Sequence, residues 1–141
     1  ALRHIECARR LSPNDPQGFS LLCCEGIAHF TVGNYVKALG LAEAARQVKS
    51  DYIIAHCLAM TSAANVGDLV AAEVALKRAL RIMPELSLTF VSRVQVFYFY
   101  GGPITETWLS GMRKAGLRDL GLAEFSSVVP EEIFANDRLR G

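Results

Sequence analysis

Three histidines and four cysteines are the side chains best suited to metal binding or nucleophilic chemistry, and their spacing favours neither. Cys7, Cys23, Cys24 and Cys57 contain no C-x-x-C pair, and the histidines do not stand at zinc-ligand intervals beside them. Cys23 and Cys24 are adjacent in helical sequence, so their thiols point about 100° apart. They read as small buried thiols in a reducing compartment. His29 and His56 lie on the first helices of successive repeats and read as histidines packed between helices. Glu131 and Glu132 pair two carboxylates with no companion base, which fits the start of a helix. There is no phosphate-binding glycine loop, no G-x-S-x-G elbow and no H-E-x-x-H, and Gly101-Gly102-Pro103 is a turn. The sequence therefore predicts a chain without catalytic residues, metal ligands or cofactor.

The 141 residues suit one domain with a real core, and an apolar share of 51% excludes general disorder. A net charge of +1 argues against a dedicated nucleic-acid binder. The longest uncharged run, Tyr52 to Gly67, spans 16 residues. That is short of the roughly 20 that cross a bilayer. No basic-then-apolar leader opens the chain, so it reads as soluble and cytoplasmic, without membrane insertion.

What must position any functional side chain is a repeat. "VGNYVKALGLAEAA" from Val32 returns as "VGDLVAAEVALKRA" from Val66, and Gly33, Gly67 and Gly101 are each 34 residues apart. The match extends to Cys23 with Cys57, Val36 with Val70, Ala38 with Ala72 and Ala45 with Ala79, and Ser50 falls where Pro84 does. Ala1, Ala8 and Pro13 precede Ala38, Ala45 and Ser50 by 37, so three extra residues lie in "SPNDPQGF". Each unit reads as two helices. Ser20, Cys23, Ile27 and Phe30 form one face of the first. Gly33 ends it, and Asn34 and Asp68 are placed to cap the helices that follow. Ala38, Ala42 and Ala45 make a small-residue stripe that lets two helices approach closely.

Helix–turn–helix units of this length, with glycine at the turn, alanines on the second helix and a closing proline, resemble the tetratricopeptide repeat. Leu22 and Gly26 keep the pattern in the first full repeat, whereas His29 stands where an aromatic is usual. In the second repeat His56, Met60 and Ala63 take the places of Leu22, Gly26 and His29. The resemblance implies an all-α, right-handed stack of helical hairpins over 1–117, with divergent C-terminal capping helices. Its parts are a partial repeat at 1–13, repeats at 18–50 and 53–84, and a degenerate repeat at 87–116.

In that last unit "LSLTFVSRVQVFYFYGG" alternates like a strand, but the register makes it a helix that stops early near Val96. Pro103 starts the following helix and Gly116 ends it, with Trp108, Leu109 and Met112 on one stripe. "WLSGMRKAGL" is similar to the end of repeat segments that follow class III adenylate/guanylate cyclase domains or winged-helix regulators in bacterial signalling proteins. No cyclase metal or base-binding residue is present, so no activity is implied. Residues 118–141 form a tail with a short helix after Pro130. Ala1 aligns with the interior of a repeat, which suggests a piece of a larger protein.

In repeats of this kind the first helices line a groove that receives a peptide. By register it comprises Ser20, Cys23, Ile27, Phe30, Ile54, Cys57, Thr61, Leu88, Val91, Gln95 and Tyr98. The set has no lysine or arginine, so it fits an apolar peptide, a partner helix or the chain's own tail rather than a carboxylate. The expected function is thus a protein–protein interaction or regulatory module. Two alternatives use other surfaces. The uncapped first helix around Ile5 would dimerise. A basic stripe of Arg9, Arg10, Arg46, Lys49, Lys77, Arg78, Arg81, Arg113 and Lys114 would meet nucleic acid, although such cations also complement helix dipoles.

Overall fold

The computed structural model describes residues 18–94 and 103–119. These form six helices and no strand: α1 Gly18–Thr31, α2 Tyr35–Val48, α3 Ile53–Val66, α4 Leu69–Ile82, α5 Leu88–Val94 and α6 Pro103–Ala115. The expected repeat at 1–13, residues Gln95, Tyr98 and Gly101, and the helix after Pro130 lie outside the described residues.

Helices α1 to α4 are two hairpins stacked in chain order, each helix packed against the next. Glycine makes both hairpin turns. Gly33 has φ 83° and donates to Phe30 O at 3.0 Å, while Gly67 has φ 100° and donates to Ala63 O and Ala64 O at 3.1 Å. Only glycine adopts that left-handed backbone without a Cβ penalty. The residue that follows behaves differently in the two turns. Asp68 caps α4 by accepting from Ala71 N at 3.1 Å. Asn34 makes no cap bond to α2, contrary to the expectation that both would cap. Its amide turns back towards His29 Nδ1, 3.5 Å away.

The alanine stripes are the joint between hairpins. Ala38, Ala42, Ala45, Ala72 and Ala79 are fully buried. Helix α3 is at the centre: every residue from Ile54 to Ala64 is buried. A helix without a charged face has no side suited to solvent, so it needs neighbours all round. It packs on α2, α4 and α6, and to a lesser extent on α1.

Residues 88–94 are helical despite their strand-like alternation, and Ser87 starts the helix by accepting Phe90 N on Oγ at 3.0 Å. Beyond α6 the chain returns to this point. Leu88 N donates to Arg118 O at 2.9 Å, Thr89 Oγ1 to Asp119 Oδ1 at 2.8 Å, and Arg118 Nη2 to Pro84 O at 3.1 Å. Among the described residues no helix is long and apolar enough to cross a membrane.

Candidate functional site

Helix α6 lies mainly on α3, with further packing on α4 and α5, and it meets α1 through one aromatic pair. Trp108 is buried and meets Phe30 of α1 edge to face, ring centres 5.2 Å apart at 70°. Phe30 in turn meets Tyr35 of α2 at 5.1 Å. Such edge-to-face pairs add about 0.5–1.5 kcal/mol beyond the area they bury. Two polar side chains of α3 hold the backbone of α6. Thr61 Oγ1 donates to Trp108 O at 2.7 Å, and Asn65 Nδ2 reaches Thr107 O at 3.4 Å while donating to Thr61 O at 2.8 Å.

Gly111 sets how close α6 comes. A Cβ built there would fall on Thr61 Oγ1, 2.6 Å from Asn65 Nδ2 and 2.8 Å from Thr61 O. Gly26 serves α1 in the same way, since a Cβ would lie 2.6 Å from Leu58 Cδ2 of α3. The helix seated here thus presents a large aromatic residue, a glycine three positions later and an apolar residue beside it, Met112.

Of the expected groove residues, Cys23, Phe30, Ile54, Cys57, Thr61, Leu88 and Val91 are buried, and Ser20 and Ile27 are half-buried. Phe30 and Thr61 touch α6 directly. Cys23 and Cys57 belong to the core between helices. Leu88 and Val91 are on α5, which packs against α6. Residues Asn65, Tyr35 and Gly111 were not among the expected set. The signal for a covering helix was in the sequence, in the charge-free run that became α3.

Burial acts in one direction on the three described thiols. Burial, and after it the Cys24 thiol, pushes Cys23 up to about 12. Burial raises Cys57 as well, with the Cys23 thiol adding to it, and burial raises Cys24. Thiolate nucleophiles and ligands need the opposite shift. His56 Nε2 donates to Ser50 O at 2.7 Å, so that nitrogen is committed to the α2–α3 connection. No group of three metal-ligating side chains is found among the described residues.

Several of the basic residues late in α2 and α4 have acids nearby. Arg46 binds Glu43 at 2.7 Å, Arg78 reaches the same carboxylate at 4.0 Å, Lys49 pairs with Asp51 at 3.2 Å and Lys77 with Glu73 at 3.3 Å. Exposed pairs of this kind contribute little stability, but they reduce the positive field an anionic polymer would meet. No family model matches the chain, and no curated protein or solved structure does so either.

Proposed function

We propose that this chain is a non-catalytic interaction and regulatory module of tetratricopeptide type, whose first helices form a groove for an amphipathic helix. In the state described, its own α6 is the occupant, and a partner helix of similar chemistry takes its place. The module serves a larger signalling protein in the cytoplasm, where free thiols such as Cys23 and Cys57 stay reduced.

One observation carries the reading: α6 is seated on α3, and against Phe30 of α1, by contacts that a helix in trans could reproduce. Thr61 and Asn65 recognise backbone carbonyls, Phe30 takes an aromatic ring, and the glycine at position 111 permits the approach. Helix-in-groove recognition uses anchors at i, i+3 and i+4, the spacing of Trp108, Gly111 and Met112.

The test weakens the resident helix and offers a replacement. The full chain carrying Trp108→Ala and Met112→Ala is titrated with a synthetic peptide of residues 103–119 and followed by NMR. The expected result is a saturable shift of Phe30 and Thr61 resonances in the variant and a far weaker one in the unchanged chain. If those resonances stay in place in a folded variant, the groove reading fails. Collapse of α1–α4 in the variant would also contradict it, since a groove must outlive its occupant.

A further inference from the structure

Three glycines sit inside helices, and two are explained within the chain. Gly26 and Gly111 face neighbours that a Cβ would strike, whereas Gly40 of α2 faces open space. A mid-helix glycine costs about 1 kcal/mol relative to alanine. Its surroundings indicate what the open space accommodates. Apart from Val48 at the far end of α2, the large exposed apolar side chains occupy the turn end of the two hairpins: Val32 and Val36 on the first, Val66, Leu69, Val70 and Val74 on the second. Val36 is 70% exposed and Val70 75%.

Helices α2 and α4 run in the same direction, because each is antiparallel to α3. The 4.0 Å approach of Arg78 to Glu43 places them side by side. Their outer faces match in apolar character and differ in two respects. Where α2 has Gly40, α4 has Val74 at the equivalent position 34 residues on, a hole against a knob. Where the α2 face carries exposed Lys37, which makes no ion pair among the described residues, the α4 face carries Asp68 and Glu73, the latter shared with Lys77.

We infer that this outer face of α2 and α4 is a self-association surface, and that its occupant is the same face of a second copy of the chain. A two-fold axis parallel to the helices lays α2 on the partner copy's α4 with equivalent positions opposed. Val36 then meets Val70, the Val74 knob enters the Gly40 hole, and Lys37 stands near Glu73 and Asp68. The symmetry makes each contact twice. The exposed apolar strip is on the order of 500 Å², as large as the largest patch on an ordinary monomer. That is below the ~800 Å² per partner of a standard complex, so the dimer is a weak one. This surface is separate from the seat of α6 and does not depend on it.

Sedimentation equilibrium of the full chain across the micromolar range tests the inference. A reversible dimer is expected. Val70→Glu and Gly40→Leu, both at solvent-facing positions, each raise its dissociation constant about tenfold or more and leave the helical circular dichroism unchanged. Lys37→Glu and Glu73→Lys each weaken it several-fold, and combining them restores most of the loss. A chain that stays monomeric throughout would overturn the inference. So would a dimer indifferent to Val70→Glu and Gly40→Leu, which would place association elsewhere, such as on residues 1–17.

Discussion

Replacing Gly111 by alanine sets two physical effects against each other, and the structure says which prevails. Alanine is the better helix former by about 1 kcal/mol, so on propensity alone the substitution stabilises α6. Packing opposes it. The new methyl would clash with Thr61 Oγ1 and lie 2.8 Å from Thr61 O, a backbone atom in the buried middle of α3. The far end of a side chain could swing aside, but a helical carbonyl cannot. Helix α6 must back off by several tenths of an ångström, at the ~1–3 kcal/mol typical of overpacking. Retreat also stretches the Thr61–Trp108 and Asn65–Thr107 hydrogen bonds, worth about 1 kcal/mol each. The expected balance is a net loss of about 1–3 kcal/mol. Gly40→Ala is the matched control, because nothing lies within 4 Å of its Cβ position. There the propensity term stands alone, and a gain of about 0.5–1 kcal/mol is expected. Urea denaturation at concentrations where the chain is monomeric measures both, read as midpoint shifts at constant slope. Equal stabilisation by the two alanines would refute the seating of α6 on Thr61 and Asn65.

Trp108→Ala removes the largest buried side chain and its contact with Phe30, and should cost about 3–5 kcal/mol in chemical denaturation. Thr61→Val keeps the shape and loses the bond to Trp108 O together with the long contact from Asn65 Nδ2, so about 1–2 kcal/mol is expected, and a loss as large as that of Trp108→Ala would contradict the assignment. Asp68→Ala should cost about 1 kcal/mol through the lost cap of α4, whereas Asn34→Ala should cost close to nothing. Stability should fall at alkaline pH. The ordinary thiol value is 9.0, and Cys23 and Cys57 lie above it in the folded chain. Below pH 9 both states keep these protons; above it the unfolded chain loses them first, so the folded state loses up to about 1.4 kcal/mol per pH unit per thiol until its own thiols ionise. Urea midpoints measured either side of that value, with Cys57→Ala flattening the decline, check it.

Much of the fold can be read from a few small residues. Gly33 and Gly67 mark the hairpin turns because only glycine tolerates their φ, and Ala38, Ala42, Ala72 and Ala79 mark the faces where helices meet. Register also resolves 88–94, where local alternation favours a strand and the observed element is a helix. The seat of α6 was less legible. The stripe of Trp108 and Met112 says that α6 has an apolar face, but Thr61 and Trp108 are 47 residues apart, and no local period specifies such a pairing. The cue that bore on it was the lack of charge around α3, which required cover on every side. Asn34 and Asp68 show the limit at single-residue scale. Both are good capping residues at equivalent positions, and a neighbouring histidine draws one of them away.

The central claim is that α6 behaves as a bound helix on a scaffold that stands without it. Native-state hydrogen exchange of the full chain tests this most directly, because it reports the opening free energy of each helix separately. The account predicts that the backbone N–H groups of α6 exchange through an opening of lower free energy than that which exposes α2, α3 and α4. If amides of α6 and α3 exchange only together, at the free energy of global unfolding, α6 is part of the core and the regulatory reading is wrong.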